Sequence, residues 1–150
     1  IGATQEAASV QLHAAINGVP VETVMQTNFE TLTPICSIGD AVDVTLKGSQ
    51  KDFPVLDNGT VIGVLTQSGL LKVLTTHGAE TRVVDVMDKA IVSAETNEML
   101  EDVLARLEEC ECHTVPVTRR GHLVGIVTSE NLSEFLRIQE AFNTRAMKVA

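Results

Sequence analysis

The chain has 150 residues, 44% of them hydrophobic, which is the range of a soluble globular protein large enough to build a core. A formal net charge of −9, with no Trp or Tyr and only four Phe, argues against nucleic acid or an anionic membrane surface as main partner. No apolar run approaches the roughly 18 residues that a membrane span needs, and no secretory signal is expected at a start that reads Ile1-Gly2-Ala3.

Taken in order, residues Ala3 to Ile16 have helical composition and end at Gly18 and Pro20, the expected stop of a lead-in helix. Val24-Met25 follows, then an extended piece over Glu30 to Thr33. Ser37 is placed to cap a helix whose apolar face is Ile38, Ala41, Val42 and Leu46, closed by Gly48. Phe53 to Leu56 and Val61 to Leu65 are strands joined by the turn pair Asn58-Gly59. The return strand is apolar at successive positions, so both of its faces are expected to be covered. Thr66 stands at a helix N-cap ahead of Leu70, Leu71, Val73 and Leu74.

The same order then recurs. Val86-Met87 lies 62 residues after Val24-Met25, and Pro116, Gly121, Gly125 and Thr128 lie at that same offset from Pro54, Gly59, Gly63 and Thr66. In this second copy Ala90 to Ser93 is the extended piece, and Leu100, Val103, Leu104 and Leu107 mark an amphipathic helix. Val115 to Val117 and Leu123 to Val127 form a hairpin turned by Arg119-Arg120-Gly121-His122, and a further helix carries Leu132, Phe135 and Leu136. A repeat with no insertion between its landmarks is one folding unit used twice. A unit of about 60 residues buries too little surface to stand comfortably alone, so the two copies are expected to pack together. The fold class is α/β (α+β): two tandem β-α-β-β-α units related by a pseudo-twofold. The divisions are a lead-in at 1–18, copies at 19–78 and 79–138, and a tail at 139–150.

This order and its motifs resemble the CBS domain, and the tandem arrangement resembles the paired form called a Bateman module. The resemblance rests on the two Val-Met heads, on Phe53-Pro54-Val55 and Val115-Pro116-Val117, and on Gly63-Val64-Leu65-Thr66 and Gly125-Ile126-Val127-Thr128. It implies a non-catalytic regulatory module that holds an adenine nucleotide (AMP, ADP or ATP, in some members S-adenosylmethionine) between the copies. It also implies further association as a homodimer. Ile1-Gly2-Ala3 with Glu6-Ala7, and Ser49 to Val55, are similar to the segment that follows the last span of some site-2-type zinc metalloproteases. That likeness implies the cytosolic part of a membrane protein. No His-Glu-x-x-His motif is present in this chain. An odd count of three Cys also fits a reducing, cytoplasmic setting.

For the ligand site, the resemblance points to Leu32, Phe53, Pro54, Ile91, Val115 and Pro116 around an adenine slot. Thr66 and Thr128, at helix starts, suit phosphate. Lys51 and His113 stand three residues before each Pro as local cations, with Arg119 and Arg120 as alternatives. Three residues after each Thr the family places an Asp that grips ribose; here those positions hold Gly69 and Asn131. Asn131 retains an amide oxygen, whereas Gly69 retains nothing. Simple N-capping explains both Thr residues equally well. Cys110-Glu111-Cys112-His113 lacks a second ligand pair for structural zinc, so no metal site and no catalytic set are expected. The alternative to a sensor is an assembly module that has lost its ligand and dimerises a larger protein.

Overall fold

The computed structural model of the chain describes residues 16–110 and 113–149. The expected lead-in helix over 3–16 therefore lies, except for Ile16, outside the described residues, as do Glu111 and Cys112. In chain order the elements are α1 (Val21–Val24), α2 (Ile38–Lys47), β1 (Phe53–Asp57), β2 (Thr60–Leu65), α3 (Gln67–Thr76) and a 3-10 turn at Val83–Asp85. The second half supplies β3 (Ala94–Glu95), α4 (Leu100–Cys110), β4 (Thr114–Arg119), β5 (His122–Thr128) and α5 (Ser129–Val149).

The repeat persists at the level of individual pairings. Phe53 faces Leu65 in the first hairpin as Val115 faces Val127 in the second, and each ladder slips at the same place, Val55/Leu56 and Val117/Thr118. Both hairpins close through two-residue turns with positive φ at each residue: 51° and 83° at Asn58-Gly59, 53° and 82° at Arg120-Gly121. This mirror-image turn matches the twist of the strands it joins. The four-residue turn expected at Arg119 to His122 is thus two residues long, because the ladder continues out to the Arg119–His122 pair.

Pro54 and Pro116 sit inside β1 and β4 without breaking them. Their partners across the ladder, Val64 and Ile126, direct both backbone groups the other way, to Asp88 and Gln26. A residue with no N–H costs nothing opposite a neighbour that is already satisfied. On the far side of β1, Leu32 makes a single parallel bridge to Val55, donating to Pro54 O at 3.0 Å and accepting from Leu56 N at 2.8 Å. Its counterpart in the second copy is Ala94 opposite Val117, so the extended piece expected at 90–93 lies at Ala94–Glu95 instead. The apolar pair Ile91-Val92 draws a sequence reading upstream, whereas the buried position belongs to a small Ala.

The head of each copy crosses to the other. Gln26 exchanges both backbone bonds with Ile126, at 2.8 and 3.0 Å, and Asp88 does the same with Val64, at 3.0 and 2.9 Å. One core accordingly joins Ile16, Val21 and Val24 to Leu100, Val103, Val115 and Val127. The other joins Leu32, Ile38, Phe53 and Leu65 to Val83 and Met87. Gly63 and Gly125 exist for these crossings. A Cβ on Gly63 would fall 2.6 Å from Met87 Sδ and 2.9 Å from the Asp88 carbonyl. One on Gly125 would fall 2.6 Å from Met25 Sδ and 3.0 Å from the Gln26 carbonyl.

Three expectations about helix and strand faces are revised. Leu46, placed on the apolar face of α2, is 79% exposed, because at 100° per residue it lies about 80° away from Ile38 while Thr45 continues the stripe. In α3 only Leu70 and Val73 are buried, and Leu71 and Leu74 face out. The return strands are buried only in their second halves. The segment expected as a tail is helical, since α5 runs on to Val149.

Candidate functional site

A cleft of about 940 Å³ lies between the copies, where the N-termini of α3 and α5 face the lead-ins to β1 and β4. Thr66 caps α3, its Oγ1 accepting from Gly69 N at 3.1 Å. Thr128 caps α5 with a reciprocal box: its Oγ1 accepts from Asn131 N at 3.0 Å, while Asn131 Oδ1 accepts from both the N–H and the hydroxyl of Thr128. The Asn131 amide then donates to the Val24 carbonyl at 2.6 Å. Asn131 therefore ties the crossing segment of the first copy to the second copy's last helix. Its amide oxygen, the group expected to meet a ribose, already accepts two bonds.

At the centre of the cleft is a contact that only pseudo-symmetry explains. Asp52 and Thr114 are equivalent positions, 62 apart, and the Thr114 hydroxyl donates to Asp52 Oδ2 at 3.0 Å. The second Asp52 oxygen accepts from Gln67 N, the first residue of α3, at 3.0 Å. Asp52 is buried, at 8% exposure. A buried carboxylate needs such partners, and the helix N-terminus supplies both a donor and a favourable dipole.

One step from this centre, Lys51 reaches across the cleft to Glu130 Oε1, 2.9 Å away, with both side chains more than half exposed. The position equivalent to Lys51 is His113, and the position equivalent to Glu130 is Ser68. Among the described residues four carboxylates line the cleft, those of Asp52, Asp88, Glu130 and Glu134, against the cation Lys51, with His113 also in the lining.

Of the expected site residues, the structure brings together Lys51, Thr66, Ile91, His113, Thr128 and Asn131 along this cleft. Leu32, Phe53 and Val115 are instead buried in the two cores, at 3%, 1% and 0% exposure, and Pro54 and Pro116 are enclosed in the hairpins. These five residues hold the strands that frame the cleft and are not part of its lining. Sequence reasoning passed over Asp52, Thr114 and Glu130. The available signal was the mismatch of Asp52 with Thr114 beside the Lys51/His113 pair, since a pseudo-twofold axis brings equivalent residues together. No helix of the described residues is long and apolar enough to cross a membrane.

The CBS domain family model matches the chain twice, over residues 11–76 and 83–138. The chain belongs to the CBS domain family. As a CBS pair it is a regulatory, non-catalytic module of mixed α+β fold. Among its relatives is the zinc metalloprotease MJ0392 of Methanocaldococcus jannaschii, 26% identical over 93% of this chain and 38% of that protein. The chain spans less than half the length of the archaeal relatives it matches. Two solved structures are similar in fold. The protein CBSX2 in complex with AMP is 26% identical, with a TM-score of 0.70 over 81% of this chain and 99% of that one. The CBS pair of protein MJ0100 in complex with 5-methylthioadenosine and S-adenosyl-L-methionine is 22% identical, with a TM-score of 0.71 over 81% of this chain and 98% of that one.

Proposed function

We propose that this CBS pair is a sensor that binds an adenine nucleotide in the cleft between its copies and passes occupancy to an attached effector. The observation that carries this reading is the cleft itself: about 940 Å³, built from both copies, with two Thr-capped helix N-termini turned toward it. That volume is at the upper end of small-molecule sites. A ligand touching both copies favours the arrangement it fits best, and its leverage equals its differential affinity for the two arrangements. The AMP complex of the similar protein CBSX2 supports an adenosine-containing ligand. Likeness to MJ0392 supports a zinc metalloprotease as the effector.

The test is a thermal-shift series with AMP, ADP, ATP and S-adenosylmethionine. A ligand at about 100 times its Kd adds about 2.7 kcal/mol, enough to raise Tm by several degrees. No shift with any of them at millimolar concentration would sink the sensor reading.

A specific observation favours a second role, homodimeric assembly. Ile35, Leu46 and Leu71 are 77%, 79% and 56% exposed on the first copy. Leu46 and Leu71 stand on α2 and α3, which pack against each other, and apolar residues that gather in one exposed patch mark an interaction surface. Sedimentation of the wild type against Leu71→Asp measures this: loss of a dimer in the variant supports it, and a monomeric wild type refutes it.

A further inference from the structure

The cleft is asymmetric in charge: Asp52, Asp88, Glu130 and Glu134 stand where the other copy has Thr114, Gln26, Ser68 and Lys72. The lysine of the cleft belongs to the first copy. Its helix α3 has no acidic residue in its own first turn, its N-terminus instead serving the Asp52 carboxylate, and Lys51 lines the cleft beside Asp52. The second copy offers the opposite: α5 carries Glu130 in its first turn, with Glu134 one turn on, both facing the cleft. Glu130 does more than line its own half. It crosses the pseudo-axis and sits on Lys51 at 2.9 Å, so a phosphate that used Lys51 would have to displace it. The reverse arrangement is chemically ruled out, because Ser68 replaces Glu130 and His113 replaces Lys51.

We infer that Glu130 sets the charge of the ligand that the cleft accepts, acting as a built-in competitor for Lys51 that disfavours di- and triphosphates. This rests on the reading of the cleft as an adenosine site and adds its selectivity. A polyphosphate that takes Lys51 must displace the Glu130 carboxylate and then lie beside it, with Asp52, Asp88 and Glu134 also lining the cleft. Like charges at such range repel even in a wet cleft. A nucleoside or monophosphate can occupy the cleft without using Lys51. Selection of this kind comes from a repulsive element and needs no extra attraction to the favoured ligand.

Glu130 is exposed, so the full chain should tolerate substitution there. Titration calorimetry with adenosine, AMP, ADP and ATP, in magnesium-free buffer near neutral pH at low salt, reads the effect directly. The wild type is expected to bind ATP at least about tenfold more weakly than AMP, a difference of about 1.4 kcal/mol. Glu130→Gln should tighten ATP by about three- to fivefold while leaving adenosine within about twofold, the upper part of the range of an exposed ion pair. In Glu130→Gln/Lys51→Met the gain for ATP should vanish. Wild-type ATP affinity equal to or above that of AMP overturns the inference, as does an unchanged ATP-to-AMP ratio in Glu130→Gln. If none of the four binds, the adenosine reading falls and this inference with it. If adenosine binds but no discrimination appears, only the inference falls.

Discussion

The two copies share a backbone register residue for residue, yet equivalent positions are held by different chemistry. In the first copy the loop before α2 ends in a capping box between Ser37 and Asp40, and Cys36 and Val44 pack beside it against the core. In the second copy Met99 takes the place of Ser37, and the same two packing positions hold Glu98 and Arg106, joined as an ion pair. Arg106 also donates to the Ser93 carbonyl at 3.0 Å, and Glu98 accepts from Glu95 N at 2.6 Å, so the pair ties its loop to α4. On the outer face, Leu46 and Leu71 of the first copy correspond to Glu108 and Ser133 of the second. What does not vary is the crossing: Met25 on Gly125 and Met87 on Gly63. The fold therefore depends on the exchanged heads, while loops and outer faces have been free to specialise.

The largest expected effect tests that invariant. Gly63→Ala and Gly125→Ala each force a Cβ into the crossing segment, and overpacking of this kind costs about 1–3 kcal/mol. Gly63→Ala should cost at least as much, since its nearest backbone atom is 2.9 Å away against 3.0 Å for Gly125. Urea denaturation of both variants measures it. A loss below about 0.5 kcal/mol in both would show that the heads move aside freely and that the fold does not depend on their close fit.

Next in size is the pair Asn131→Ala and Gly69→Ala. Asn131→Ala removes the capping box and the bond to Val24 O, a loss of about 1–2 kcal/mol. Gly69→Ala adds a Cβ that meets only Thr66 Oγ1, at 3.1 Å, and improves helix propensity by up to about 1 kcal/mol. It should be close to neutral or stabilising. Equal losses would mean that the first copy contains a clamp at this position that its sequence does not reveal.

A smaller effect depends on pH. The hydrogen bond from Arg106 is the main cause holding the Glu98 carboxyl below its ordinary value of 4.5. A carboxyl lowered by folding contributes stability that is present above its unfolded value and is lost as pH falls through the folded one. Arg106→Met should therefore be less stable than wild type near neutral pH, by under about 1 kcal/mol because the pair is about one-third exposed. The gap should narrow as pH drops below about 4.5. The equivalent change in the first copy, at Val44, has no carboxylate to lose and should show no such pH dependence. Stability curves of the wild type and Arg106→Met at several pH values decide it, and a gap constant from pH 6 down to pH 3 would refute the assignment.

Much of this was legible in the sequence because the hairpins carry local signals: Asn58-Gly59, the period of the repeat, and the capping threonines. The misplacements have physical causes. Ile91-Val92 is more apolar than the strand residue Ala94, and Leu46 satisfies an i+8 spacing while pointing about 80° off the stripe. The exchange of heads was not legible, because a Met resting on a Gly 100 residues away leaves no local mark. For the site, Lys51 could be read from its position before Pro54, but its partner Glu130 could not. That pairing exists only once the two copies face each other.

The smallest expected effect concerns the hairpin tips, the place where the copies agree in geometry and differ most simply in residue. Asn58 and Arg120 occupy the same left-handed conformation, at φ 51° and 53°. Asn tolerates that region through its short polar side chain, whereas a longer side chain is strained there. Arg120 is exposed and lines neither the cleft nor either core, so Arg120→Asn should relieve strain at the turn. A gain of about 0.5 kcal/mol is expected, and Asn58→Arg should lose a similar amount in the first copy. Urea denaturation of the two reciprocal variants measures both signs. If Arg120→Asn destabilises, the arginine contributes something at the tip beyond the turn, and the two hairpins are not interchangeable after all.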